Sequence, residues 1–246
     1  MAEISSVATE IVNYSEDDYR FKISHSQPIY FDSVLLNSEA AQKLFERIFL
    51  RVSNSIYRIE WLFRIINRDS ASDEFREMIE QDIQAAYEAF ETAEADANKL
   101  LKNNGIVQLP EYTKGKEFAY AITTPQANQL IGLIKKVDEL DKIMSALWLT
   151  GVIKTTQRYN YHASFRNKIN KIGQRILEFE RKTRSLINNR GNRNQVRQVS
   201  QASKEIKDQI IEKQNVLEQE KKLPDKKIAS EKNKESSVEN KKVSAS

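Results

Sequence analysis

The stretch EFAYAITTPQANQLIGLIKKVDELDKIMSALWLTGVI, residues 117–153, contains a strand, a helix start and a long apolar helix in immediate succession. Alternation of bulky residues with alanine predicts a short half-buried strand over Glu117–Thr123. Thr124 and Pro125 then predict a helix start. The threonine hydroxyl can accept a backbone N–H, and the fixed φ of proline suits a first helical turn.

The helix that follows is apolar on most of its surface. Its main stripe recurs at three- and four-residue steps and consists of Leu130, Leu133, Ile134, Val137, Leu140, Met144 and Leu147. A second set widens this stripe: Ile131, Ile143, Trp148 and Leu149. We therefore expect a central packing helix that ends at Gly151, because glycine takes a left-handed cap without steric cost.

The rest of the chain predicts further long helices, since 246 residues include only six glycines and four prolines. We expect a mainly α fold: a long-helix bundle with a small antiparallel β-hairpin and a charged, partly disordered C-terminal extension. Short strands are predicted at Tyr19–Ile23 and Pro28–Leu36, and the hairpin would pair Ile106–Leu109 with Glu117–Thr123. The predicted organisation is a flexible leader (1–18), a helical core domain with the β element (19–190), a charged helix (191–222) and a disordered tail (223–246).

Composition narrows the class of protein. The chain has no cysteine, which excludes a disulfide framework, a thiolate metal site and a cysteine nucleophile. No apolar run approaches the roughly 18 residues of a membrane span, and the N-terminus lacks the pattern of a secretion signal. We expect a cytoplasmic protein.

Motifs of enzyme chemistry are missing from the sequence. The two histidines, His25 and His162, have no histidine or glutamate at metal-binding helical spacing. No nucleophile-elbow, P-loop or dinucleotide-binding motif occurs. The carboxylates of the acidic segment lack the histidines of a di-metal bundle site. The sequence thus predicts no enzyme, no metal, no cofactor and no small-molecule substrate.

Charge is distributed unevenly along the chain. Residues 69–101 contain ten acids and two bases, whereas residues 154–197 contain twelve bases and two acids. A basic helix over about Tyr161–Asn188, followed by a polar break, would present cations to a polyanion. The candidate phosphate-contacting residues are Arg158, Arg166, Lys168, Lys171, Arg175, Arg181, Lys182, Arg184, Arg190, Arg193 and Arg197. The alternative is that the basic helix faces the acidic helix and both are neutralised within one molecule or a dimer.

A family resemblance rests on three segments: IVQLPEY (106–112), the stretch 117–153 quoted above, and YHASFRNKINKI (161–172). They contain a T-P helix start, a D-x-L step from Asp138 to Leu140, and an R-x-x-I pattern from Arg166 to Ile169. In these features the chain resembles the AcaB-like proteins of integrating conjugative elements and conjugative plasmids.

The resemblance implies DNA binding and control of transfer genes. It suggests a ribbon-helix-helix reader, which inserts a two-stranded ribbon into the major groove. The strand Glu117–Thr123 carries no Lys or Arg, however, so we expect contact through the basic helix instead.

Two functions remain open at this point. The first is a non-enzymatic DNA-binding accessory or transcriptional regulatory protein of a conjugative or integrative element. The second is a helical interaction or assembly subunit of the transfer machinery. In either case a homo-oligomer or a protein partner could use the narrow apolar stripe of residues 195–222.

Overall fold

A computed structural model describes residues 28–65, 69–189 and 191–243, with side chains for residues 28–65, 72–189 and 191–221. The elements in chain order are β1 (Tyr30–Leu36), α1 (Glu39–Leu44), a π-helical turn (Phe45–Phe49), α2 (Leu50–Ile65), α3 (Asp69–Asn103), β2 (Lys116–Ile122), α4 (Pro125–Leu149), α5 (Thr155–Asn189) and α6 (Arg193–Val243). The expected mainly α fold with a small antiparallel sheet is confirmed. The predicted leader and the strand Tyr19–Ile23 lie outside the described residues.

The small sheet joins distant parts of the chain. β1 and β2 pair antiparallel, with a register that runs from Tyr30 opposite Ile122 to Leu36 opposite Lys116. The predicted hairpin with Ile106–Leu109 is therefore wrong. The N–H of Ile106 is already bonded to the carbonyl of Leu101 at 3.0 Å, in the turn that ends α3, so this segment cannot enter a ladder there.

Single residues define several helix ends, as expected at Thr124 and Gly151. Ser38 and Thr124 cap α1 and α4, and their hydroxyl oxygens accept the N–H groups of Ala41 and Ala127 at 3.2 and 3.3 Å. Three glycines that follow helices adopt positive φ: Gly105, Gly151 and Gly191. Each backbone reversal thus has the residue type that tolerates a left-handed conformation.

The central helix α4 is buried as predicted. Leu130, Leu133 and Leu147 are fully enclosed by α1, α3, α5 and the sheet. At the π-helical turn, Phe45 and Phe49 both point at β2, and the ring of Tyr120 lies edge-on to each of them. The sheet is thereby fastened to the helical core.

Helix α5 begins earlier than the sequence indicated. The segment 155–160, expected to be a connector, forms its first turns. The side-chain oxygen of Gln157 accepts the N–H of Lys154 at 2.8 Å, and the carbonyl of Lys154 accepts the N–H of Arg158 at 3.1 Å. These polar residues carry no apolar stripe, so periodicity could not find these turns.

Helix α6 folds back onto the body of the protein. Val199, Ile206 and Ile210 are buried in a second cluster with Tyr57 and other residues of α2 and β2. Its narrow stripe is thus covered by the same chain, and a partner through residues 195–222 stays a prediction for the remaining surface. The backbone of α6 continues to Val243 through the segment 223–246 for which the sequence predicts disorder, and that prediction is not tested here.

No helix within the described ranges is both long and apolar enough to cross a bilayer.

Candidate nucleic-acid interface and a polar cleft

One stripe of α5 faces α2. Gly173 lies on this stripe, and a Cβ there would meet Val52 of α2 and Ile48 of the π-helical turn at 3.1 and 3.2 Å. Two turns further along α5, Glu180 pairs with Arg58 of α2 at 3.1 Å. Residues at three- and four-residue steps share a helix face, so Arg166 and Arg184 lie on the same side of α5.

The facing stripe of α2 adds cations that the sequence did not assign to the site. Three residues contact α5 along its length: Ile48 at Gly173, Arg58 at Glu180 and Leu62 at Ile187. Arg51 lies between Ile48 and Arg58 at the same three- to four-residue spacing. Arg51 is exposed and forms no ion pair with a described carboxylate. We call the surface formed by Arg51, Arg58, Arg181 and Arg184 the α2–α5 seam; Arg166 lies nearer the start of α5, beside α1.

The turn between α5 and α6 extends this seam. Val196 of α6 is buried against Leu62 and Ile187, which brings the first turn of α6 to the end of α2 and α5. Arg193 and Arg197 flank Val196 and are exposed. Arg58, Arg184, Arg193 and Arg197, from three helices, therefore lie near one end of the bundle, while Arg51 lies about 16 Å from Leu62 along α2.

The opposite flank of α5 lies against the acidic helix. Arg175 binds both carboxylate oxygens of Asp82 in α3, at 2.6 and 2.5 Å. Lys168 and Lys171 line the same groove beside Asp82. The intramolecular alternative is thus realised on this flank, although Arg175–Asp82 is the single α3–α5 ion pair among the described side chains.

The predicted site residues fall into three groups. Six are exposed and form no ion pair with a described carboxylate: Arg166, Lys168, Lys171, Arg181, Arg193 and Arg197. Four have acidic neighbours within 4 Å: Arg158, Arg175, Lys182 and Arg184. Arg190 lies outside the described residues. The basic helix is therefore partly neutralised, and its free cations divide between two flanks.

The sheet does not offer a free ribbon. β2 is buried on both faces, because Phe118 and Tyr120 enter the main core while Ala119 and Ala121 pack under α6. In addition, Gln214 of α6 occupies the strand edge: its side-chain oxygen accepts the N–H of Ala119 at 2.7 Å. The expectation that the strand is not the reading element agrees with this packing.

A second polar feature, which the sequence reasoning missed, lies where α4 meets α5. Asp141 is 4 % exposed, and its carboxylate accepts a hydrogen bond from the hydroxyl of Tyr112 at 2.6 Å. The Nε2 of His162 lies 2.8 Å from the other carboxylate oxygen. Ser145 joins the group: its hydroxyl lies 3.1 Å from that of Tyr112 and accepts from Arg158 at 3.0 Å. We call Tyr112, Asp141, Ser145, Arg158 and His162 the Asp141 cluster.

The contacts within this cluster shift the pKa values of Asp141 and Tyr112. Burial by itself raises the pKa of the Asp141 carboxyl, but hydrogen bonds from His162 and Tyr112 and the nearby charges outweigh burial and leave that pKa below its usual value. Burial, together with donation to Asp141, raises the pKa of the Tyr112 hydroxyl strongly. Asp141 is thus held as an anion and Tyr112 as a protonated donor near neutral pH.

No local pattern in the sequence indicates this cluster. His162 has no ligand-type neighbour on its own helix, and its partner Asp141 belongs to α4. Tyr112 comes from the loop before β2. Only the folded chain brings these residues together. No group of three or more potential metal ligands occurs among the described side chains.

Comparison with solved structures identifies the family. The crystal structure of selenomethionine-containing AcaB from uropathogenic E. coli matches with 30 % sequence identity and a TM-score of 0.66. The match covers 74 % of this chain and 100 % of that chain. The chain therefore belongs to the AcaB family. No protein-family model and no curated protein sequence matches it.

Proposed function

We propose that the chain is a non-enzymatic DNA-binding accessory or transcriptional regulatory protein of a conjugative or integrative element. In this proposal the α2–α5 seam and the adjoining residues Arg193 and Arg197 contact backbone phosphates. Membership of the AcaB family supports a regulatory role, because the sequence resemblance implied control of transfer genes.

One observation carries the proposal: cations from α2, α5 and α6 lie near one end of the bundle. Arg51, Arg181 and Arg197 are exposed and unpaired with described carboxylates, so little energy is needed to free them for phosphates. The acidic helix α3 lies along the other flank of α5, where it neutralises Arg175. The carboxylates of α3 thus lie away from the seam, so they weaken its attraction for a polyanion less than carboxylates within the seam would.

A salt titration of DNA binding tests the proposal. Affinity for duplex DNA, measured by gel shift or fluorescence anisotropy, is expected to fall steeply with salt, because each neutralised phosphate releases a counterion. Arg51→Gln, Arg181→Gln and Arg197→Gln are each expected to weaken binding and to reduce the slope of log K against log salt by about 1.

A matched control variant removes a cation from the acidic helix α3. Lys99 is exposed on α3 and pairs with Asp96, so Lys99→Gln makes the same charge change far from the seam. Its slope should equal that of the wild type. Absence of binding at low salt, or equal effects of Lys99→Gln and Arg181→Gln, would contradict the proposed surface.

A helical interaction or assembly subunit is the second candidate. It is favoured by Ile211 and Val216 of α6, which are 48 and 49 % exposed on a helix that buries Val199, Ile206 and Ile210 against the rest of the chain. Light scattering of an Ile211→Ser, Val216→Ser variant distinguishes the two. Loss of an oligomer with unchanged DNA binding would assign α6 to a partner, while an unchanged mass would remove this candidate's support.

A further inference from the structure

The Asp141 cluster forms one wall of an open cleft of about 700 Å³ between α1, the loop before β2 and the start of α5. Pockets that hold small molecules in proteins have about 300–1,000 Å³ and a few convergent polar groups. The cleft has this size, and its polar groups come from three separate elements.

Cations exceed acids around the cleft. Lys43 pairs with Glu39, and Asp141 is engaged by His162 and Tyr112. Lys114 and Arg166 also line the cleft, and neither forms an ion pair with a described carboxylate. Four cations line the cleft against the two carboxylates of Glu39 and Asp141, so a net of two positive charges is available to a ligand.

Arg158 is held in a fixed orientation. Its guanidinium lies 4.8 Å from the centre of the Trp148 ring, and one terminal nitrogen donates to Ser145 at 3.0 Å. Its contact with Asp141 is long, at 3.9 Å. A planar guanidinium that is fixed and incompletely used is suited to a phosphate or carboxylate.

We propose that this cleft binds a small phosphate monoester, with Arg158, Arg166 and Lys114 contacting the phosphate. The charge favours this class over a simple carboxylate: a phosphate monoester carries about two negative charges at neutral pH and matches the two unpaired cations. The ring of Tyr112, whose hydroxyl is fixed by Asp141, would border the rest of the ligand. The site would make the protein responsive to a small metabolite, which goes beyond the proposed DNA binding.

Isothermal titration calorimetry of the full chain with AMP, ribose 5-phosphate and adenosine tests this proposal. At about 150 mM salt, long-range attraction is largely screened, so the contacts within the cleft dominate. Both phosphate esters are expected to bind, and adenosine is expected to bind at least about tenfold more weakly because it lacks the phosphate.

Single substitutions distinguish binding in the cleft from non-specific attraction of the anion to surface cations. Arg166→Gln and Lys114→Gln leave the Asp141 cluster intact, and each is expected to weaken AMP binding by about tenfold. Arg181→Gln removes an exposed cation of the same helix outside the cleft and should leave AMP binding unchanged. Arg158→Gln should abolish binding, with the melting curve confirming that the variant is folded.

Two results would overturn the proposal. One is the absence of a binding heat with either ester at concentrations up to about 5 mM. A site with a Kd of about 1 mM would be largely occupied at that concentration. The other is an equal loss in Arg181→Gln and Arg166→Gln, which would mean that the anion binds by general charge. A short DNA duplex that displaces AMP stoichiometrically would assign the cleft to backbone phosphates, also against the proposal. Because AMP binding is measured without DNA, failure of the DNA-binding proposal leaves this test valid.

Discussion

The carboxylate of Asp138 in α4 caps the start of α1, since its Oδ1 accepts the backbone N–H of Ser38 at 2.6 Å. The same oxygen accepts the N–H of Asn37 at 3.0 Å. Asp138 is the acidic residue of the D-x-L step on which the family resemblance partly rested. Its position shows a structural use for that residue: it satisfies two backbone donors where β1 passes into α1.

Asp138→Ala is expected to lower the free energy of unfolding by about 2–3 kcal/mol, because two backbone donors near a buried helix end lose a charged acceptor. Urea denaturation at neutral pH measures this. Glu139→Ala, at the exposed neighbouring position, should change stability by less than about 0.5 kcal/mol. Equal effects of the two substitutions would show that the cap is unimportant.

Gly132→Ala tests the close packing of α4 on α3. A Cβ at this position would lie 2.1 Å from the hydroxyl oxygen of Tyr87, which donates to the carbonyl of Gln129 at 3.0 Å. Alanine normally favours a helix interior over glycine by about 0.5–1 kcal/mol. Here the clash should dominate and destabilise the protein by about 1–3 kcal/mol.

The companion variant Tyr87→Phe removes the clashing oxygen, and the next ring atom lies at an ordinary 3.4 Å. The double variant Tyr87→Phe, Gly132→Ala should therefore be more stable than Gly132→Ala alone, as a double-mutant cycle would show. If Gly132→Ala stabilised the protein by itself, the close contact would be disproved.

Gln214→Leu tests the attachment of α6 to the sheet. The side chain of Gln214 accepts the N–H of Ala119 at 2.7 Å and donates to the carbonyl of Glu117 at 3.1 Å. Loss of these bonds should speed hydrogen exchange at the Ala119 amide by about tenfold, equivalent to about 1.4 kcal/mol. Gln219→Leu, at an exposed position of α6, should leave that amide unchanged. Unaltered protection in Gln214→Leu would show that α6 does not cover this edge.

Asp141→Asn tests the electrostatics of the cleft. The pKa of Asp141 is lowered in the folded protein, so its ionised form contributes stability above the unfolded pKa of about 3.9. This contribution is lost as the pH falls through the lowered folded pKa. The stability difference between the wild type and Asp141→Asn should be constant from about pH 6 to pH 5 and shrink below about pH 4.

Guanidinium denaturation at a series of pH values measures this difference. If the difference in the free energy of unfolding between wild type and Asp141→Asn grew on acidification, this would contradict the lowered pKa of Asp141. The charged and titratable groups that face Asp141 are Tyr112, Arg158 and His162.

Predictions from sequence succeeded where the cause is local. The cap at Thr124 and the break at Gly151 follow from the chemistry of single residues. The predictions failed where a local pattern is compatible with two different structures. Ile106–Leu109 has the composition of a strand, but its first N–H closes the end of α3.

The amino-acid sequence by itself determined the long helices, the buried position of α4 and the separation of acidic and basic segments. The reason is that helix periodicity, capping and composition act within a few residues of each other. The tertiary structure alone decided that β2 pairs with the distant β1, that Asp141 meets His162 and Tyr112, and which arginines remain unpaired. These relations join residues far apart in the chain, and they depend on how the helices pack rather than on any nearby pattern.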